Sequence, residues 1–172
     1  MQIFHPEYNR RGYKNDLALI KLTEPIDFVK YPQIGIAPLA AEEDSPFPET
    51  CFVIGMGVNE TVNFTEVFEI AQFEKLTTEL CVKSHGRFDE KKQVCAGQRP
   101  DDPKLGSKMT CKGDSGGPLM CLSRRGQNVG LVKQYGIISF VRGACKQTRW
   151  QPTFMPRIQF YKPWIDSVIG KH

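Results

Sequence analysis

The chain has 172 residues, 40% of them hydrophobic, and a net charge of +4 from 23 basic and 19 acidic side chains. This suffices for one ordinary core, and no run of about 18 apolar residues is present to span a membrane. The charge is mild and scattered, its one tight pair (Arg124-Arg125) lying in a Gly/Gln/Asn turn, which excludes a nucleic-acid footprint.

In chain order, Asp16-Leu-Ala-Leu-Ile-Lys-Leu22 is a short apolar run bounded by turn residues and predicts a strand. Cys51-Phe-Val-Ile-Gly-Met-Gly57 predicts another, ending in glycines, and Val67 to Phe73 alternates loosely. Phe73 to Cys81 looks helical, with Thr77 or Thr78 as its cap. Gly117 to Leu122 and Val132 to Phe140 complete the series of strands. A closing helix is predicted over Tyr161 to Ile169, with Pro163 at its start and Trp164, Ile165, Val168 and Ile169 at helical spacing. Fifteen glycines and 12 prolines punctuate these runs and argue for an all-β barrel or sandwich. No internal repeat, low-complexity segment or linker interrupts them.

Cys51, Cys81, Cys95, Cys111, Cys121 and Cys145 make an even set without Cys-x-x-Cys spacing, and only three histidines accompany them. This argues against a metal site and for three disulfides formed in an oxidising compartment. The residues alone leave all fifteen pairings open. Two glycosylation triplets, Asn59-Glu-Thr61 and Asn63-Phe-Thr65, point the same way. Met1 to Arg10 lacks the basic start and apolar stretch of an export signal. The expectation is therefore that a natural beginning precedes Met1.

The most informative segment is Cys111-Lys-Gly-Asp-Ser-Gly-Gly-Pro-Leu-Met-Cys121. Glycines around Ser115 permit a tight turn that exposes a hydroxyl beside backbone N–H groups. Such groups stabilise the oxyanion formed when a nucleophile attacks a carbonyl. Asp114 adds a carboxylate, and the flanking cysteines can tether the loop.

This segment resembles the nucleophile loop of the chymotrypsin-like (trypsin-family) serine proteases. The resemblance runs from Ile3 to Ile169. His5-Pro-Glu-Tyr8 and Asn15-Asp16-Leu-Ala-Leu-Ile-Lys-Leu22 are similar to the family's aspartate region, and Cys51 to Gly57 to its Cys-Trp-x-x-Gly-Trp-Gly strand. Gln93-Val-Cys-Ala-Gly97, Gly136-Ile-Ile-Ser-Phe140 and Pro163-Trp-Ile165 also match in order and spacing.

The resemblance implies a complete C-terminal six-stranded antiparallel barrel with a closing helix, over about residues 31–172, and only a remnant of the N-terminal barrel over about 1–30. It implies disulfides 51–121, 81–95 and 111–145. It makes Ser115 the nucleophile, Gly113 and Ser115 the oxyanion-hole donors, and Asp16 the carboxylate that orients the general base. Asp114 becomes the partner of an activating N-terminal amine, and Ser139 a donor to Asp16. Ser139, Phe140 and Val141 would hold substrate as an added strand.

One departure follows. The family's general-base histidine lies in Ala-Ala-His-Cys, some forty residues before the aspartate, and the amine-donating Ile-Val-Gly-Gly start is also absent. His5, His85 and His172 read as solvated rather than catalytic. A serine without its base is a poor nucleophile, so the chain as written is expected to be inactive. The missing half of the site is expected to leave apolar surface exposed.

In the specificity pocket, Met109 stands where trypsin-like members carry Asp, and Val141 and Thr153 narrow the walls. These residues imply small or medium apolar P1 residues. Pro152 argues against sodium activation, and no cofactor is implied. The expectation is a secreted serine endopeptidase acting on protein or peptide substrates, with protease inhibitors or cascade proteins as further partners. The alternative is a non-catalytic homologue that regulates a proteolytic cascade.

Overall fold

The computed structural model describes residues 1–44, 47–48, 50–58, 66–98, 108–123, 130–142 and 151–171. Two antiparallel sheets carry the fold. The smaller pairs β1 (Gln2–Phe4) with β2 (Ala18–Ile20). The larger contains β3 (Cys51–Gly55), β4 (Glu69–Lys75), β5 (Gln93–Gly97), β6 (Pro118–Leu122), β7 (Val132–Ile137), β8 (Phe140–Val141) and β9 (Thr153–Pro156). Its order is β7-β6-β3-β4-β5-β9-β8. The sheet curls into a half-barrel, and a bridge between Gly136 and Arg157 links its β7 end to the residue following β9. The two-residue β8 lies beyond the six strands expected, as a short edge on β9.

Alternation explains the core. In β3 and β6 every second side chain is buried (Cys51 and Val53, Leu119 and Cys121), β5 is buried on both faces, and Phe73, Val94, Ala96, Tyr135, Ile138 and Met155 fill the space between them. Two disulfides pin this arrangement. Cys51–Cys121 joins residues already paired across β3 and β6, and Cys81–Cys95 ties a helix to β5. Cys111 is also disulfide-bonded, while its expected partner Cys145 lies outside the described residues, as do Asn59 and Asn63.

The two helices differ from their expected limits. The segment Phe73 to Cys81 divides: β4 continues to Lys75, and α1 runs Thr78–Ser84 with Thr77 as its cap, its side chain accepting the Leu80 N–H. Pairing with β3 and β5 holds Phe73 to Lys75 extended, which outweighs local helix propensity. The closing helix α2 runs Ile158–Ile169, so Pro163 falls inside it and not at its start. Ile158, Tyr161 and Ile165 form its buried stripe. Burying each such side chain is worth roughly 1.5–3 kcal/mol, which offsets the backbone bond that Pro163 cannot donate.

That stripe also positions the functional elements. It packs on Leu19 of the small sheet, on Leu17 just before β2, and on Ile137 of the large sheet, so α2 joins the two. The region from the small sheet to residue 36 exposes much apolar side chain, including Phe4 (64% exposed), Ile20 (69%), Val29 (92%) and Ile36 (80%).

Among the described residues, Lys133 of β7 forms a buried ion pair with Asp44. Lys133 Nζ lies 2.8 Å from Asp44 Oδ1, with the two side chains 11% and 1% exposed. Asp44 ends a 3₁₀ turn (Glu42–Asp44) and also accepts the Ala41 N–H. Removing one member strands the other charge, at a cost of about 3–5 kcal/mol. Lys133→Met should therefore lower the urea-unfolding free energy of the oxidised chain by about 3 kcal/mol; a loss below about 1 kcal/mol would show that Asp44 is adequately solvated without it.

Candidate active site

Asp16 sits at the end of a tight turn. Asn9 and Lys14 bridge, and Tyr13 (φ 48°) and Asn15 (φ 52°) both adopt the left-handed conformation. For a side chain such as tyrosine this costs roughly 1–3 kcal/mol, so something must hold it. Tyr13 stacks on Phe140 with ring centroids 4.8 Å apart. The buried Asn15 amide donates to Glu7 O and accepts the Tyr161 hydroxyl proton, each at 2.8 Å. Burial, with Asp89 and Glu7 adding to it, pushes the Tyr161 phenol up to about 12, so it remains a donor at any physiological pH. Beyond this anchored turn, half-buried Asp16 accepts the Ser139 hydroxyl proton at 2.5 Å.

The Ser115 loop is built from glycine. Gly113 (φ 100°) and Gly116 (φ 86°) take conformations that other residues rarely adopt, and they leave Ser115 exposed between them. Asp114 turns inward. Its carboxylate accepts the Gly57 N–H at 2.9 Å and the Cys111 N–H at 2.8 Å. A side chain at either Gly55 or Gly57 would overlap that carboxylate, which explains the two glycines that end the Cys51 run. No cation pairs with Asp114 among the described residues. The chain's own amino group donates to Lys21 O instead.

Ile138 and Ser139 bring the two parts together. Gly116 N–H donates to Ile138 O and Ile138 N–H to Gly117 O, both at 2.8 Å. The neighbouring Ser139 holds Asp16. Serine and aspartate, 99 positions apart (115 minus 16), are thus tied to adjacent residues of one segment.

The remaining predicted residues cluster around β8. Phe140 stacks between Tyr13 and Phe154 at 4.8 and 5.0 Å, and Val141 pairs with Thr153. Among the described residues β8 ends the sheet order, with no strand paired on its outer edge. Met109 and Val141 are half-buried, whereas Thr153 is fully buried. Its Oγ1 lies 2.7 Å from that of Thr110, also buried. The Thr153 hydroxyl is engaged by this pairing. Thr110 was not anticipated. A contact spanning 43 residues leaves no local signal, although its place between Met109 and Cys111 offered a hint.

Of the histidines expected to be solvated, His5 and His85 are half-buried. His5 packs 4.8 Å from Trp164 and 5.5 Å from Tyr161, its Nδ1 accepting the Glu7 N–H. His85 meets Phe140 and Phe154 edge-on, both at 5.2 Å. Apolar aromatic surface captured both rings, although each is flanked by polar residues in sequence. Burial lowers both pKa values below 6.5, reinforced at His85 by Arg142 and Arg87; at His5, Glu7 opposes the shift and Lys92 assists it. Neither histidine hydrogen-bonds Asp16 or Ser115, and His172 lies outside the described residues.

With this geometry established, similarity to known proteins identifies the family. A family model described as Trypsin matches residues 1–165. Chymotrypsin-like elastase family member 1 of Canis lupus familiaris is 30% identical over 181 residues, covering 99% of this chain and 63% of that protein. Phenoloxidase-activating factor 3 of Holotrichia diomphalia is 32% identical over 170 residues (96% and 45%), and Homo sapiens cathepsin G 29% over 168 (97% and 58%). The chain belongs to the trypsin family of serine endopeptidases, whose substrates are proteins or peptides. It spans 45–63% of the length of these three curated relatives. Among the described residues no helix is long and apolar enough to cross a membrane.

Two outcomes test this geometry. Gly55→Ala should push the Asp114 carboxylate off its donors and speed amide exchange at Gly57 and Cys111 at least tenfold; unchanged protection would mean that the carboxylate does not brace the loop. Because the folded state favours neutral His85, its contribution is complete above pH 6.5 and is lost as pH falls below that value. His85→Phe should flatten the decline in stability measured by urea unfolding between about pH 7 and 5. An unaltered slope would assign that decline to other groups.

Proposed function

We propose that the chain is the serine- and aspartate-bearing part of a secreted serine endopeptidase. The observation that carries this reading is the Ile138–Ser139 segment, which ties the Ser115 loop to the Asp16 turn. In this reading Ser115 Oγ attacks the scissile carbonyl, and the N–H groups of Gly113 and Ser115 stabilise the oxyanion. Asp16 holds the base histidine in the tautomer that accepts the serine proton and then stabilises its cation. That histidine is taken to lie outside these 172 residues, so the chain alone is inactive. Asp114, already held by two N–H groups, is the site for an activating amine.

Residues 1–30 act as the N-terminal barrel remnant, and 31–172 as the C-terminal barrel with its helix. Substrate adds to the open edge of β8, along Ser139 to Val141. Met109, Val141 and Thr153 shape a pocket for small or medium apolar P1 residues, and the Thr110–Thr153 pairing supports that choice by removing a polar wall. Disulfides support export, and Asn59 and Asn63 would then carry glycans. A second reading, a non-catalytic partner in a proteolytic cascade, draws on the similarity to a phenoloxidase-activating factor. Protease inhibitors or cascade proteins would be its partners.

A fluorophosphonate probe separates these states. Ser115 in the chain as it stands should remain unlabelled, and efficient labelling would overturn the claim of inactivity. Extended to include a histidine-bearing N-terminal barrel, the protein should label and should cut peptide libraries after Ala, Val or Leu. Cutting mainly after Arg or Lys would refute the pocket assignment, while no labelling of the extended protein would favour the non-catalytic reading.

A further inference from the structure

Little backbone holds β8 in place. It pairs with β9 at two positions only, Phe140 with Phe154 and Val141 with Thr153, and among the described residues no strand flanks its other side. So short an edge depends on side-chain packing and belongs to the least stable part of a fold. The packing here is aromatic. Phe140 stacks on Phe154 at 5.0 Å, and the His85 ring meets both at 5.2 Å. A single imidazole thus touches the edge strand and its partner together.

The backbone of His85 is fixed. Its N–H donates to Cys81 O at 2.7 Å, its carbonyl accepts the Phe88 N–H at 3.0 Å, and Cys81 is bridged to Cys95 of β5. Only the ring is left to respond to a change of charge. Its Nδ1 is buried and has no hydrogen-bond partner. A neutral imidazole accommodates this by keeping its proton on Nε2. The cation carries an N–H at both nitrogens, so protonation would set an unpaired donor and a charge against two phenyl rings. The charges that act on His85 are themselves positive: Arg142, which follows β8, and Arg87 in the loop after α1. No titratable residue occurs in β9 (Thr153–Pro156), and no described carboxylate pairs with the ring. The packed ring therefore binds its proton less readily than a solvated one, and acid favours its departure.

We propose that His85 is an acid-operated latch on β8. Protonation swings the ring away from Phe140 and Phe154 and loosens the edge strand. The Phe140–Tyr13 stack then carries the change to the turn before Asp16. The latch stands apart from the protease reading. Only its meaning, that mild acid weakens the substrate edge and the aim of Asp16 together, rests on that reading, and the measurement below requires no proteolysis.

The test is amide exchange of the oxidised chain at about pH 7.5 and pH 5.0, each rate divided by the intrinsic rate at that pH. The Ser139 N–H, which donates to Phe154 O, and the Asn9 N–H, which donates to Lys14 O, report the strand and the turn. Both should lose about fivefold in protection in acid. The buried Ala40 N–H, which donates to Gln134 O, should change by less than about twofold. The midpoint at Ser139 should coincide with that of the His85 Cε1 chemical shift, measured on the unsubstituted chain. His85→Phe, which keeps a ring and cannot take a proton, should hold Ser139 at its neutral-pH protection throughout. The same fall in His85→Phe, or a midpoint matching His5 instead, would overturn the latch. Equal losses at Ala40 would replace it with global acid unfolding, and constant protection at Ser139 would reject it. A change at Ser139 without one at Asn9 would overturn the link to Asp16.

Discussion

The backbone of Ile138 exchanges hydrogen bonds with the glycines at 116 and 117, and the next side chain, Ser139, grips Asp16. These bonds lie at the end of β7, where the chain leaves the sheet before rejoining it as β8. A displaced Ile138 would move the serine loop, and a displaced Ser139 would release the aspartate. The segment is itself held from behind, since Ile138 is buried in the main core and Ser139 N–H donates to Phe154 O at 3.2 Å. The barrel core therefore sets the geometry of the site, although no residue of that core bears its chemistry.

Support on the aspartate side comes from α2. Its buried stripe spans both sheets, and Tyr161 on that stripe reaches Asn15. Packing and polar positioning are performed by the same helix. A strained turn with two left-handed residues is tolerable there because an aromatic stack and two side-chain hydrogen bonds oppose its relaxation. Glycine at either position would relieve the backbone and remove the contact that aims Asp16.

The sequence made visible those parts of the site that are local. Gly113 to Gly117 declare a tight turn around Ser115, and the paired glycines after Cys51 hinted at close approach, although only the folded chain reveals Asp114 as what approaches. Short apolar runs located most strands to within two or three residues. Contacts across long separations were not legible. The Thr110–Thr153 pairing and the aromatic capture of His85 by Phe140 and Phe154 depend on where strands meet, not on neighbours in sequence. Pro163 misled for a related reason. Its preference for a helix start is local, whereas Ile158 and Tyr161 extend the helix by burial against distant strands. Gln93 to Gly97 was recognised only by its resemblance to the family, and it forms β5.

The nesting of the two described disulfides bears on the chain's fate among proteases. The Cys81–Cys95 loop lies wholly inside the interval closed by Cys51–Cys121. A backbone cut anywhere between residues 51 and 121 therefore liberates no fragment while that outer bridge is intact. Such a cut would leave apparent mass unchanged on a non-reducing gel and show as two bands only after a thiol is added. One such cut can pass unseen, and the barrel can retain its shape while its covalent continuity is already lost.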